Sequence, residues 1–272
     1  TTASGNESTA MGYDTTASAE ASTAMGYSTT ASAESSTAMG RGTTASGTRS
    51  TAMGYDTTAS GSYSTAMGAG PTASGYGSTA MGGGTTASYY YSTAMGAGTT
   101  ASGSRSTAMG DNTTASGHSS TSMGYYTTAS DYASTVIGQY NSSGSSATSA
   151  DSFSTSNTAF VIGNGTNSSN KSDAFKVMFN GDAYVSSTLY VGGTAITATA
   201  LSSVTESGNT GARISTSNAS NHGDIGSNAV DLSYSSSSSS SYGATGDYST
   251  AMGLSTTASA ESSTAMGRGT TA

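Results

Sequence analysis

Few side chains in this sequence are able to do chemistry, and they are scattered. The two histidines, His118 and His222, lie in different segments, and His118 occupies a variable position where we expect a solvated loop. Cysteine is absent, which excludes disulfides and thiolate metal sites. The run 163–170 contains glycine, but no Lys-Ser/Thr follows it in the spacing of a phosphate-binding loop. Because catalysis needs convergent titratable groups, we expect neither enzyme activity nor a cofactor.

One weak cation site remains as an alternative reading. Glu20 and Glu34 share a position in two neighbouring repeats, so their carboxylates could stack beside each other. Two solvated turn residues explain the same spacing more simply, and we therefore predict no metal site.

Tyrosines recur in a way that points to contact rather than catalysis. Aromatic rings on a polar surface bind sugars or protein partners, and they also stack on one another in neighbouring turns. Both readings stay open, and we take these residues as candidates for surface recognition: Tyr13, Tyr27, Tyr55, Tyr63, Tyr76, Tyr89, Tyr90, Tyr91, Tyr125 and Tyr126.

Composition argues against an ordinary globular domain. Of the 272 residues, 8% are charged and 33% hydrophobic, and there is no Trp, whereas about a quarter of a typical domain is charged. A net charge of −8 is too weak for charge-driven disorder, and it offers no basic patch for nucleic acid. No run approaches the ~18 apolar residues of a membrane-spanning helix. The chain must therefore be ordered by something other than a thick core.

That ordering feature is a repeat of 14 residues. Residues 1–140 divide into ten units without a gap, beginning with TTASGNESTAMGYD, and the units return at 242–255 and 256–269. We number the positions of each repeat 1 to 14, with Thr1 at position 1. Each unit splits into two related halves of seven, but Gly, Ser and Thr are mediocre helix formers and no Leu or Ile stripe exists. Strand and turn therefore fit better than a coiled coil.

The repeat predicts an all-β solenoid in which each coil has two short strands. A strand at Ser8–Gly12 is followed by a two-residue turn, and successive coils stack about 4.8 Å apart. Side chains alternate across a strand, so one face carries Ser8, Ala10 and Gly12. In the partner strand Thr1, Ala3 and Gly5 share a face. Since a flat coil holds only small side chains, we expect the alanines inside and Met11 outside.

Stacking then turns the methionines into a continuous apolar ridge on a polar rod. Such a ridge marks an interface, and threefold or twofold symmetry would close it. An alternative places the methionines inside a wider coil, which leaves the recurring alanines unexplained. The predicted axis residues are Met11, Met25, Met39, Met53, Met67, Met81, Met95, Met109, Met123, Ile137, Met252 and Met266.

The pattern S-T-A-M-G-x-x-T-T-A-S resembles the YadA-like head repeat of trimeric autotransporter adhesins, over 1–140 and 242–272. The resemblance implies a left-handed parallel β-roll of three chains, with Met11 and its equivalents at the trimer core. Val and Ile are common in the family where this chain has Thr9 and Met11. The glycine of position 5 is replaced in several repeats, for example by Ala19 and Asp131.

The middle segment breaks the repeat. Residues 141–157 are Ser-rich and predict a linker, while 159–163, 174–179 and 187–193 predict strands, with a hairpin turn at 180–182. This stretch resembles β-rich modules of tail fibres and bacterial surface fibres. We therefore expect three parts: a β-roll at 1–140, a β-rich connector at 141–241 and a second β-roll at 242–272.

The function predicted from these features is an extracellular or virion-surface fibre that spans distance and adheres. Its partners would be other copies of the chain, as a homotrimer joined end to end, and surface glycans or proteins, with no nucleic acid and no membrane span. Residues 256–272 repeat 29–45, which predicts a larger tandem unit. Two alternatives stay open: an ice-binding solenoid that uses the outward Thr and Ser, and a purely mechanical filament.

Overall fold

A computed structural model describes residues 1–191, 194–196, 201–214 and 218–272. The chain forms two compact units, Thr1–Ser187 and Thr188–Ala272. The described residues are β-strands and connecting turns apart from one 3-10 turn, Ala219–Asn221, so the predicted all-β class is confirmed. The three-part division predicted at 140 and 241 stays a prediction.

The first unit contains strands β1 to β23. In chain order they are β1 (Thr2–Ala3), β2 (Thr9–Tyr13), β3 (Thr16–Ala17), β4 (Thr23–Tyr27), β5 (Thr30–Ala31), β6 (Thr37–Arg41), β7 (Thr44–Ala45), β8 (Thr51–Tyr55), β9 (Thr58–Ala59), β10 (Thr65–Ala69), β11 (Thr72–Ala73), β12 (Thr79–Gly83), β13 (Thr86–Ala87), β14 (Thr93–Ala97), β15 (Thr100–Ala101), β16 (Thr107–Asp111), β17 (Thr114–Ala115), β18 (Thr121–Tyr125), β19 (Thr128–Ala129), β20 (Thr135–Gln139), β21 (Thr158–Asn164), β22 (Asp173–Met178) and β23 (Ala183–Val185).

Each 14-residue coil contributes one two-residue strand and one five-residue strand, which confirms the predicted pair. The short strands form a sheet of ten, and the long strands form a sheet of thirteen that continues through β23. Successive coils pair in parallel and in register, so that Met11 faces Met25 and Thr2 faces Thr16. The long strand starts one residue later than predicted, at Thr9, and extends through Tyr13.

The interior is a stack of alanines, as the alternation predicted. From Ala17 to Ala115 the alanines of positions 3 and 10 are fully buried and form one cluster. The position-1 threonines and position-8 serines point inward beside them, as at Thr29 and Ser36. Met25, at position 11, lies half-buried on the outside. The reading that placed methionine inside a wider coil is therefore wrong.

One prediction about the interior is also wrong. Gly12 was expected on the inward face with Ser8 and Ala10, yet the glycines of position 12 are largely exposed. Their φ angles, between 94° at Gly138 and 130° at Gly68, lie in the region that favours glycine. The strict alternation stops there because the backbone turns the strand out of its plane.

Each half-repeat ends on a residue with left-handed backbone. Glu7 (φ 56°) and Asp14 (φ 53°) begin two series, at positions 7 and 14, that continue through the later coils. Backbone hydrogen bonds link these turns from coil to coil, as from Ala21 N to Asn6 O (2.8 Å) and from Ser28 N to Tyr13 O (2.9 Å). The turns are thus hydrogen-bonded along the stack, like the strands.

The solenoid of the first unit ends in a hairpin extension. Strand β21 pairs with β20 in parallel, and β22 and β23 then pair antiparallel, which confirms the hairpin predicted at 180–182. Residues 141–157 contain no strand but are held by hydrogen bonds. Asp131, which replaces glycine at position 5, accepts from the backbone of Thr148 (2.6 Å) and Thr158 (2.9 Å).

The second unit contains a smaller stack of the same kind. Its strands are β24 (Leu189–Val191), β25 (Thr194–Ile196), β26 (Leu201–Glu206), β27 (Asn209–Ile214), β28 (Val230–Tyr234), β29 (Gly243–Ala244), β30 (Thr250–Leu254), β31 (Thr257–Ala258) and β32 (Thr264–Arg268). Strand β28 pairs in parallel with β30, and β30 with β32. The strand predicted at 187–193 is present at β24, and its last two residues, 192–193, lie outside the described residues.

One coil of the second unit carries no TTAS or STAMG motif. Val230 pairs with Thr250 and Leu232 with Met252, so β28 takes the place of a long strand. Ile225 and Ala229 are buried in the same cluster as the alanines of the following coils. The period therefore continues in space across a segment where the sequence does not show it.

Candidate functional surfaces

The methionines of the first unit stack into one outward-facing column. Cross-strand partners run from Met11 to Met123 and then to Ile137, so each side chain lies above its equivalent in the next coil. Met11, at the open end, is 56% exposed, and the others are half-buried. In the second unit Met252 and Met266 pair in the same way, extended by Leu232.

The column of the first unit continues past the last repeat. Ile137 pairs with Ile162, Ile162 with Phe175, and Phe175 with Val185. We call the series from Met11 through Val185 the apolar column. Sequence reasoning missed its last three members, although the run Phe160-Val-Ile-Gly163 has the pattern of the tenth repeat, Thr135-Val-Ile-Gly138.

The threonine column beside it becomes apolar over the same strands. Thr135 is followed in register by Phe160 and then Val177. The rings of Phe160 and Phe175 lie 6.3 Å apart. The outward face is thus narrow and half polar along the repeats, and it is broader and wholly apolar at its end.

The tyrosines occupy the two turn edges of the solenoid. One group lies at positions 5 to 7 of the fifth, sixth and seventh repeats: Tyr63, Tyr76, Tyr89, Tyr90 and Tyr91. The other lies at positions 13 and 14: Tyr13, Tyr27, Tyr55, Tyr125, Tyr126 and Tyr140. Apart from Tyr140, which is half-buried, these rings are between 40% exposed, at Tyr126, and 67% exposed, at Tyr13.

Rings in both groups stack on their neighbours. Tyr13 and Tyr27 are parallel with centroids 5.0 Å apart. Arg41, in the next coil, lies 5.8 Å from the Tyr27 ring and 5.4 Å from the Tyr55 ring. In the first four coils, position 13 therefore places one guanidinium group between two tyrosine rings. Stacking, which was left open beside recognition, is present here.

The group at positions 5 to 7 forms an aromatic cluster around Tyr76. Its ring lies 5.3 Å from Tyr63 and 5.6 Å from Tyr91. Burial among these rings raises the pKa of the Tyr76 phenol, and repulsion from Tyr91 and Tyr63 adds to the shift. A shallow cavity of about 300 Å³ lies beside this cluster, lined by Tyr76, Tyr89, Tyr90 and serines of three coils.

Several of these tyrosines adopt backbone angles that favour glycine. Tyr63 (φ 60°) and Tyr91 (φ 54°) lie at position 7, where the coil between them has Gly77. Tyr126 (φ 51°) lies at position 14, where other coils have Gly70 or Gly84. A bulky side chain in this region costs about 1–3 kcal/mol. The turn imposes this conformation in every coil, so the tyrosines share it with smaller residues such as Ala21 and Ser28.

The remaining candidates from the sequence are the carboxylates Glu20 and Glu34 and the histidine His118. Among the described residues, no group of three His, Cys, Asp or Glu is placed to hold a metal. Glu34 lies 3.7 Å from Arg49 of the next coil. His118 lies in a turn as predicted, but its ring is half-buried and stacks on Tyr132 at 5.2 Å.

The second unit contains a buried charged cluster that sequence reasoning missed. Asp231 occupies the inward position of an alanine and is fully buried. Its carboxylate accepts from Arg213 Nε and lies 3.1 Å from His222 Nδ1. Arg213 also contacts Glu206 at 2.6 Å and donates to Gly223 O. Burial lowers the pKa of His222, and the carboxylates of Asp231 and Glu206 oppose this shift.

None of the helices that the structure describes is both long enough and apolar enough to cross a bilayer.

Comparison with known proteins identifies the repeat. A family profile described as the YadA head domain repeat (2 copies) matches residues 3–29, 17–43, 45–70, 73–99, 90–113, 115–141 and 244–270. These matches together cover more than half of the chain. No curated protein matches the sequence.

Proposed function

This chain belongs to the YadA head domain repeat family, a family of cell-surface adhesins, and from that membership we propose that it forms an adhesive extracellular fibre of three self-associated copies. The family and the β-solenoid are structural and adhesin-like rather than enzymatic. The observation that carries the proposal is the apolar column, an unbroken line of outward Met, Ile, Phe and Val across the long sheet.

Self-association through the apolar column is supported by its energetics. Fully burying a methionine side chain contributes about 1.5–3 kcal/mol, and the column repeats such a group in every coil. The same face is presented by every copy, so a closed symmetric assembly is the arrangement that covers it completely. A threefold axis is the symmetry that family membership favours. The column also lies on the sheet, which leaves the tyrosines of both turn edges at the rim.

Light scattering of the full chain tests this part of the proposal. We expect three times the chain mass for the wild type. The variant Met25→Asp/Met39→Asp/Met53→Asp should give a single-chain mass. The control Ser18→Asp/Ser32→Asp/Ser46→Asp adds the same charges at exposed positions of the same coils, on the other sheet, and should keep the wild-type mass. A monomeric wild type, or a control that also dissociates, would refute the assignment.

Adhesion through the tyrosine-bearing edges is the second part of the proposal. Exposed aromatic rings supply large contact area with a hydroxyl at the tip, and the cluster around Tyr76 lies beside a cavity. We take the cluster of positions 5 to 7 as the principal contact surface.

A glycan array and cell-binding measurements with labelled full chain test the adhesive part. We expect binding to fall at least tenfold in Tyr76→Ser/Tyr90→Ser/Tyr91→Gly. The control Tyr234→Ser removes another exposed tyrosine, 62% exposed in the second unit, and should bind normally. Equal loss in both variants, or no loss in the triple variant, would argue against this surface.

The sheet of short strands suggests a second candidate function, ice binding. Its short strands carry an outward ladder of threonine, Thr2 facing Thr16 and Thr16 facing Thr30, in register through ten strands. Such a regular ladder suits an ice surface, although the threonines are half-buried. Thermal hysteresis of the full chain, abolished in Thr44→Leu/Thr58→Leu, would favour ice binding. Its absence leaves the fibre as the sole candidate.

A further inference from the structure

Both lysines of this acidic chain line the same surface cavity. The chain has a net charge of −8 and two lysines, Lys171 and Lys176. They line an open cavity of about 370 Å³ in the hairpin extension of the first unit, together with Tyr184 and several serines. Two cations in one cavity contrast with a surface that otherwise carries excess negative charge.

The hairpin holds Lys176 in place without an ion pair. Lys176 and Tyr184 are cross-strand partners in β22 and β23. The ammonium lies 4.4 Å from the centroid of the Tyr184 ring, a distance at which the ring attracts the cation. Within the described ranges, the salt bridges involve only arginines and a histidine as cations, so neither lysine is neutralised by a carboxylate.

The carboxylate that lines the cavity is already engaged. Asp173 accepts one hydrogen bond from the backbone N–H of Ser142 and one from that of Ser143, both 2.8 Å. These bonds tie the segment after the tenth repeat to β22 and build one wall of the cavity. Asp173 keeps its negative charge, but the two N–H groups hold its carboxylate in the wall of the cavity, and with two lysines the lining still has a net positive charge.

The cavity is lined from both faces of the hairpin, by Lys176 and Tyr184 on one face and by Val185, the last member of the apolar column, on the other. Lys176 stands between Phe175 and Val177 in β22, and successive side chains of a strand point to opposite faces. Phe175 belongs to the apolar column, so Lys176 and Tyr184 point away from it. Association through the apolar column therefore leaves Lys176 and Tyr184 uncovered, and Val185 lies at the boundary between the two surfaces.

We propose that this cavity binds an acidic saccharide, a sugar that carries a carboxylate or a sulfate group. The two ammonium groups would hold the anion, and the half-exposed Tyr184 offers a ring and a hydroxyl to the sugar. The volume lies at the lower end of the range of small-molecule sites, which fits one or two sugar rings. The inference rests on the adhesive role proposed above and gives it a ligand class.

Calorimetric titration of the full chain tests the site with four probes. Sialyllactose carries a carboxylate, a monosulfated disaccharide carries a sulfate, lactose is neutral, and sodium sulfate is the anion alone. We expect saturable binding of at least one acidic sugar and none of lactose. The double variant Lys171→Gln/Lys176→Gln should weaken that binding at least tenfold. The control Arg41→Gln removes a cation beside the rings of Tyr27 and Tyr55 and should bind as the wild type does.

The outcomes separate this site from the adhesive role as a whole. Acidic-sugar binding that survives in the double-lysine variant refutes the cavity, and so does binding of sodium sulfate without either acidic sugar. If the chain binds cells but neither acidic sugar, adhesion stands and this site falls. Tyr184→Leu offers a second variant, because it keeps both charges. This variant should weaken binding of the acidic sugar and leave the unfolding temperature within a few degrees of that of the wild type.

Discussion

At the scale of single residues, the position-12 glycines allow the coils to stack. A Cβ on Gly68 would overlap the carbonyl oxygen of Gly82, and the same relation holds along the column. The φ of Gly68, 130°, is also one that side-chain-bearing residues rarely adopt. The glycine is thus required twice, by backbone conformation and by the close approach of the next coil.

Gly68→Ala should therefore lower stability far more than Gly83→Ala. The strained backbone alone costs about 1–3 kcal/mol, and the overlap with Gly82 adds to it. Gly83 is the matched control, since it follows in the next coil, has ordinary φ and has open space around its missing Cβ. Thermal unfolding followed by circular dichroism measures both. Equal melting temperatures for the two variants would contradict the role of the glycine column.

His222 makes the stability of the second unit depend on pH. Burial holds its pKa below the ordinary value of 6.5, which means that the folded unit favours the neutral ring. The charged groups that face it are Asp231, Arg213 and Glu206. Protonation favours the unfolded chain, so stability is complete above about pH 6.5 and is lost as the pH falls through and below that value.

We expect the second unit to lose stability between pH 7 and pH 5, with a slope of at most about 1.4 kcal/mol per pH unit. His222→Gln should flatten this dependence, whereas His118→Gln should keep it. Hydrogen exchange of the amides in 230–234, measured across this pH range, reports on the unit locally. A slope that persists unchanged in His222→Gln would assign the pH dependence to other groups.

At the scale of elements, Asp131 fixes the segment that closes the stack. It is buried, and its carboxylate accepts from Thr148 N, Thr158 N and the Thr158 hydroxyl. Main-chain bonds from His118 N to Ala150 O and from Tyr132 N to Ser149 O complete the attachment. The serine-rich segment 141–157 is thereby held along a turn edge of the last coils.

Asp131→Gly, which restores the usual residue of position 5, should release this segment. Hydrogen bonds to a charged group contribute about 1.5–3 kcal/mol each, and three are lost. We expect the amides of 148–158 to exchange at least a hundredfold faster, while those of β10 to β14 stay protected. Asp151→Gly is the control, since Asp151 is exposed. Unchanged protection in Asp131→Gly would show that the main-chain bonds suffice.

The repeating elements could be predicted from the sequence because one short rule governs them. Alternation placed Ala10 and Ala3 inside and Met11 outside, and the stack follows from repeating that rule. It failed at Gly12, where alternation assumes an extended strand and the backbone turns instead. The coil at 223–234 was not predicted because its sequence lacks the repeat motif. It is recognised as a coil only from the pairing of β28 in register with Thr250 and Met252.

The candidate surfaces were predicted in part for the same reason. Methionine and tyrosine recur at fixed positions, and the period alone places them on a sheet and on two edges. The lysine cavity and the cluster around Asp231 depend on residues distant in sequence, such as Ser142 with Asp173 and Arg213 with Asp231. No local pattern encodes those pairs, which form when strands of different coils meet.

At the scale of the whole molecule, the proposed association would be coupled to folding. An alanine interior contributes little burial per coil, and the larger apolar side chains lie outside, in the apolar column. Covering that column therefore adds a substantial share of the burial available to the fibre. A chain stabilised in this way unfolds at a temperature that depends on its concentration, because dilution favours separated copies.

The melting temperature of the wild type should therefore rise with protein concentration. For three chains that dissociate and unfold together, a tenfold increase in concentration corresponds to about 0.9 kcal/mol per chain, two thirds of the ~1.4 kcal/mol of a tenfold step, and each kcal/mol shifts the melting temperature of a chain of this size by about 2–4 °C. Met25→Asp/Met39→Asp/Met53→Asp should melt lower and without concentration dependence. The control variant Ser18→Asp/Ser32→Asp/Ser46→Asp adds the same three charges away from the apolar column. Its melting temperature should still rise with protein concentration. A wild type whose melting temperature is constant over a hundredfold range of protein concentration would mean that single chains are stable alone. The apolar column would then need another partner.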